Sequence, residues 1–204
     1  MYTNKHSRHD NPEDVRNFVR ENGFGILTSQ VEGKPWATHL PMFLTEDGLK
    51  LTGHIARANK HWKNFESNPD VLAIFSGPHT YISSSWYDHE NVPTWNYIAV
   101  HVMGKVRIVE EAALLESLKQ LTDKYEKASA CPVSVEKMSA DLLRKNIPAI
   151  VGFEIVIEKM EASYKLSQNR DEENQRRIIS HLEQRGDADS MKIALAMLEL
   201  KPNF

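Results

Sequence analysis

Alternation of apolar and polar positions marks out the strands of this chain, and wider helical spacing marks its last segment. Gly25 to Ser29 and Pro35 to Thr45 predict two strands joined by a Glu32-Gly33-Lys34 turn. In the second strand Trp36, Thr38, Leu40 and Met42 alternate with Ala37, His39, Pro41 and Phe43. Both of its faces are therefore partly apolar, as in a barrel wall or beneath a ligand. Pro41 removes one ladder donor and predicts an edge or an opening at that point. Leu49 to Thr52 predicts a further strand, and Val71 to Ser76 a short buried one that Gly77-Pro78 turns into His79 to Ser85. Asn96 to Val109 alternates longest, with Gly104 a bulge or close-approach point, and Ala149 to Met160 is the last strong strand.

Helices are read from caps and spacing. Asn11 followed by Pro12, Glu13 and Asp14 starts one helix, which Asn22-Gly23 ends. Others are expected over 110–127 and from about Val135 to Lys145. From about Lys165 the composition turns polar, and two helical patterns follow, one ending at Gly186 and one running from Asp187 or Asp189 to Leu200. The expectation is a mainly β antiparallel barrel with helical additions: a domain over 1–165, then a C-terminal helical extension over 166–204 packing on the barrel or on a dimer partner. The stretch from Trp86 to Trp95 is too polar and proline-broken to be regular. Its aromatics call for a partner subunit, a planar ligand or a satellite core to pack on.

Charge narrows the function. With net charge −3 and pI near 6.3, nothing supports sequence-independent nucleic-acid binding through a basic face. A single cysteine, Cys131, fits a reducing, cytoplasmic setting. The charged N-terminus and the lack of an uninterrupted apolar span argue against a signal peptide and a membrane helix. The nine histidines show no metal-ligand spacing, and Walker, GxSxG and GxGxxG motifs are missing.

Against that background Leu51 to Pro69 stands out. No acid occurs from Leu49 to Phe65, where Lys50, Arg57, Lys60 and Lys63 are joined by His54 and His61, and Asn59 is positioned as a helix N-cap. Cations and free N–H groups at a helix start favour an anion, phosphate above all; a plain solvated helix start is the alternative. A flavin mononucleotide (FMN) fits what remains. Arg57, Lys60, His61 and the N–H groups after Asn59 would take its phosphate, Thr38, His39 and Leu40 would line the ring, and Trp86 or Trp95 would cover it.

The runs LTGHIARANKHWKNF, YISSSWYDHENVPTWNYIAVHVMGKV and YKLSQNRDEENQRRIISHLEQRGDADS resemble the PaiB family. That family is described as FMN-binding negative transcriptional regulators of protease synthesis and sporulation, and is itself similar to the split barrels typified by pyridoxamine 5′-phosphate oxidase. The resemblance implies an FMN-binding split β-barrel, a homodimer with flavin sites at the subunit interface, and repression, with promoter DNA as a further partner. It extends the cofactor-binding set to His54, Ile55, Ala56 and Asn96, and places Lys60-His61 where an Arg-Lys pair is common. A flavin-dependent oxidoreductase acting on a small substrate is the second reading, and a haem-handling split barrel a distant third.

Overall fold

The computed structural model describes residues 1–200, so the last four positions of the expected 166–204 extension lie outside the described residues. In chain order the elements are β1 (Arg8–His9), α1 (Pro12–Glu21), β2 (Phe24–Val31), β3 (Lys34–Leu44), β4 (Lys50–Ala56), β5 (Asp70–Ile82), β6 (Thr94–Ile108), α2 (Glu111–Glu126), α3 (Ala140–Asn146), β7 (Ile150–Lys165), α4 (Glu172–Arg185) and α5 (Ala188–Glu199). The sheet order is β1-β7-β4-β3-β2-β5-β6, and β6 pairs back with β7 to close the ring. The fold is an antiparallel split barrel with helical additions. The chain divides into two compact units: Arg16–Phe75 with His101–Met160, and Met1–Val15 with Ser76–Val100 and Glu161 onward.

The first of these units carries the barrel ladders. Glu32 and Gly33, both at positive φ, form the tight turn that sets Val31 opposite Lys34 and fixes the β2–β3 register. Alternate residues then point inward: Leu27, Met42, Leu51, Phe75, Phe153 and Ile155 are fully buried. The β3–β4 pairing covers only Met42–Gly53, Phe43–Thr52 and Leu44–Leu51. Below Pro41 the two strands part, as the proline predicted, and β4 continues along β7, with His54 opposite Gly152. The near-buried Glu154 accepts from Lys50 and Arg107, which neutralises its charge in the wall.

In the other unit β1 pairs with the end of β7, Arg8 opposite Ser163, and His9 stacks on Tyr164 at 4.2 Å. The N-terminal segment is thus tied down rather than frayed. The α4–α5 hairpin turns at Gly186 (φ 70°), and Asp187 caps α5 through the Ser190 N–H. Ile178, Leu182, Ile193 and Met197 close the core of this unit. Arg185 donates to Thr80 Oγ1 and to the Tyr81 carbonyl, and Thr80 in turn meets Ser190 at 3.0 Å.

Two expectations are corrected. Gly77-Pro78 does not turn the chain; β5 runs unbroken from Asp70 to Ile82. The β2 ladder ends at Ile74, so the missing N–H of Pro78 breaks no bond to that neighbour. The helix expected over 135–145 is a 3₁₀ turn at Val135–Lys137 followed by α3, which Ser139 caps. Gly104 is a close-approach point: a Cβ there would lie 2.2 Å from the Val156 carbonyl oxygen. Backbone cannot give way as a side chain can, so Gly104→Ala should destabilise by about 1–3 kcal/mol or more, read from urea denaturation. A loss under about 0.5 kcal/mol would show that β6 and β7 part freely there.

Candidate functional site

Where β3 and β4 part, the helix that Asn59 starts is a short 3₁₀ one, Lys60–Asn64. Asn59 caps it, its Oδ1 accepting from the His61 N–H at 3.0 Å. The same side chain donates through Nδ2 to Thr38 Oγ1 at 3.1 Å. His61 is fully buried beneath this contact. Its Nδ1 lies 2.9 Å from Thr38 Oγ1 and its Nε2 2.7 Å from Ser29 Oγ, while its ring meets the edge of Phe65 at 5.3 Å. Thr38, accepting from Asn59, can give its own proton to Nδ1, which leaves the Nε2 proton for Ser29. Both ring nitrogens are satisfied with the imidazole neutral. Burial holds its pKa below the usual histidine value, and does the same for His54.

Above this cluster lies an open cleft of about 740 Å³ lined by Lys34, Trp36, Thr38, His39, Asn59 and Lys60, among others. A cavity of that size suits a cofactor-sized ligand. Trp36 is 40% exposed, and its ring offers an apolar surface at the rim. Among the described residues neither Lys34 nor Lys60 has a carboxylate partner, and Glu32 is the one acid lining the cleft. The cleft therefore combines cations, an amide, a hydroxyl, an imidazole and an indole, a donor-rich set suited to an aromatic, anionic molecule.

The expected residues divide. Thr38, His39, Asn59 and Lys60 come together here. Leu40 and Ile55 face the core, 5% and 3% exposed, and His54 is half-buried on β4 opposite Gly152. Ala56 is exposed, opposite Ile150. Arg57 is spent on backbone: Nε and Nη2 donate to the Pro148 and Ile150 carbonyls at 2.6 and 2.9 Å. His61 is corrected from a phosphate ligand to a buried brace, because both ring nitrogens are already taken. Trp86, Trp95 and Asn96 belong to the other unit. There Trp86 stacks on His181 at 4.9 Å beneath the Arg185 guanidinium, Trp95 lies beside Tyr81, and Asn96 is wholly buried. Lys34, Trp36 and Ser29 went unsuspected. Trp36 shares its strand face with Thr38, and that spacing was the available signal.

The buried, neutral histidines give stability a pH dependence. The unfolded chain takes up protons on His54 and His61 near the ordinary value of about 6.5, before the folded chain does, so stability is full above that pH and falls as pH drops below it. Denaturation midpoints at about pH 7.5 and 5.5 should show this loss, and His61→Gln should shrink it. An unchanged loss in the variant would mean that His61 titrates freely. Thr38→Val, which strands Asn59 and His61 donors or acceptors, should cost about 1–3 kcal/mol in the same measurement.

Comparison with known proteins agrees with this fold. The Bacillus subtilis (strain 168) "Protease synthase and sporulation protein PAI 2" is 45% identical over 199 residues, spanning 97% of this chain and 96% of its own. Among solved structures, the FAD and haem binding protein from Mycobacterium smegmatis aligns with TM-score 0.65 at 12% identity, covering 83% of this chain and 78% of its own. The flavocytochrome Anf3 from Azotobacter vinelandii aligns with TM-score 0.63 at 18% identity, covering 82% and 73%. At such identities these two structures speak for the fold alone. Residues 1–159 match the family described as "Putative FMN-binding domain", and with the Bacillus relative matched along nearly its whole length, the chain belongs to that family.

Proposed function

We propose that this protein binds FMN in the cleft over β3, and that it serves, as a homodimer, in the regulation of protease synthesis and sporulation. One observation carries the flavin reading: the β3 opening holds Lys34 and Lys60, without carboxylate partners among the described residues, beside an exposed indole. Lys60 and the Asn59 amide would hold the phosphate, and the Trp36–His39 strand would lie along the ring. FMN supplies two-electron or one-electron redox chemistry when bound. The residues here bind and orient it.

The regulatory part rests on the name of the Bacillus relative. The arginines of α4 favour an indirect route over a DNA-reading helix. Arg176 and Arg177 pair with Glu172 and Glu173 one turn earlier, and Arg185 is engaged by Thr80, Tyr81 and Trp86. Few free cations remain on that helix for phosphate contacts. In this reading flavin occupancy, rather than a basic recognition helix, carries the signal. An exposed lone thiol at Cys131 agrees with a cytoplasmic setting, and among the described residues no helix is long and apolar enough to cross a membrane.

Titrating FMN into apo-protein while following flavin fluorescence tests the site. Lys60→Ala should weaken binding by about ten- to a hundredfold, the worth of one charge-assisted hydrogen bond, while Lys50→Ala, whose amine serves Glu154, should change it little. Equal effects of the two substitutions would move the phosphate elsewhere. Light scattering should give twice the 23.4 kDa chain mass, and a monomer would remove the dimer from the proposal.

A further inference from the structure

The unit formed by Met1–Val15, Ser76–Val100 and the chain from Glu161 onward holds a second concavity, of about 410 Å³. Its lining is polar and carries two cations, Lys165 and Arg170, with hydroxyls from Thr94, Tyr97 and Ser163. Lys165 donates to Thr94 Oγ1 at 2.5 Å, and the Arg170 guanidinium sits 5.2 Å over the Tyr87 ring. Neither has a carboxylate partner among the described residues. Burial and the neighbouring Arg170 charge both hold the Lys165 pKa below the usual lysine value. Two like charges brought to one pocket wall without a counter-charge are unfavourable until an anion joins them.

The turn bearing both cations is held rigidly from beneath. Ser167 lies between them in the left-handed region (φ 59°), which serine rarely adopts, and it is buried. Its Oγ donates to Oδ1 of Asn96 at 3.0 Å. The buried Gln175 amide donates to the Ser167 and Arg170 carbonyls at 3.3 and 2.7 Å, and the Arg170 N–H closes the turn on Ser167 O. Asn96 and Gln175, both almost wholly inaccessible, thus serve to fix the backbone from which Lys165 and Arg170 project. The VPTWNY and KLSQNR runs, which the flavin cleft leaves without a role, supply Thr94 and Asn96 to this arrangement on one side, and Lys165, Ser167 and Arg170 on the other. A strained, fully satisfied scaffold under two unneutralised cations is the build of a binding site rather than of a core.

We infer that this pocket binds a small phosphate-bearing molecule, its phosphoryl oxygens between Lys165 and Arg170 and its remaining groups against the Tyr97, Ser163 and Thr94 hydroxyls. The inference does not rest on the flavin reading, since it uses a different pocket and different residues. The ligand's shared chemistry is a phosphate dianion, either free or as a phosphomonoester.

The test is a thermal-shift and calorimetric titration of the full chain, first without flavin and then with FMN added. Inorganic phosphate and glycerol 3-phosphate are the probes, with succinate as a dicarboxylate and chloride at equal ionic strength as controls. Phosphate should raise the melting temperature and chloride should not. Lys165→Met and Arg170→Met should each weaken phosphate by about ten- to a hundredfold, Arg170→Lys less, and Lys192→Met on the exposed side of α5 not at all. Tighter binding of glycerol 3-phosphate than of phosphate identifies a phosphomonoester as the ligand, and equal binding identifies the free anion. Without added anion the variants should melt no lower than the parent chain, because relief of the like-charge contact offsets the lost hydrogen bond. Phosphate affinity unchanged by either methionine substitution, or stabilisation by succinate but not phosphate, would overturn the proposal. Loss of FMN binding in Lys165→Met with none in Lys60→Ala would overturn it too, by making this pocket the flavin-phosphate site.

Discussion

Everything proposed for the cleft depends on one buried imidazole. His61 ties the 3₁₀ turn to the paired strands β2 and β3: its ring meets Ser29 on β2 and Thr38 on β3, and Asn59 joins the turn to the same Thr38. The strands part below Pro41, and a gap in a barrel wall would expose ladder groups and core together. A neutral histidine with both nitrogens satisfied closes that gap without burying a charge. It also sets Lys60 on the next position outward, at the cleft. The residue that closes the barrel opening, His61, directly follows Lys60, the proposed phosphate ligand.

Charge pairing elsewhere decides which cations remain for ligands. Lys50 and Arg107 are committed to Glu154, Lys105 to Asp70, and Arg57 to two carbonyls. The α4 arginines are matched to acids one turn away or locked onto the unit that carries them. In a chain of net charge −3, four of the cations that keep no carboxylate partner among the described residues line the two concavities: Lys34 and Lys60 over β3, Lys165 and Arg170 in the other unit. Local imbalance, not overall charge, is what points to anions here.

Much of this was legible in the chain. Strand alternation, the helix starts at Asn59 and Asp187, and the meaning of Pro41 and Gly104 follow from local sterics and hydrogen bonding, which neighbouring residues determine. Residue roles that depend on distant partners were not. Arg57 reads as a phosphate ligand until Pro148 and Ile150 supply carbonyls, and His61 reads as a cation until Ser29 and Thr38 enclose it. Trp86 reads as a ring cover until α4 brings His181 against it. Gly77-Pro78 reads as a turn because its effect depends on where the β2 ladder stops, which the sequence near it does not encode.

FMN is proposed to lie over β3 with its phosphate at Asn59 and Lys60. The most direct test is a backbone amide map of ¹⁵N-labelled protein titrated with FMN. The largest shifts should fall on Trp36 to His39 and on Asn59 to His61, with His61 remaining neutral throughout. Shifts centred on Lys165 to Arg170, with the β3 amides unmoved, would contradict it.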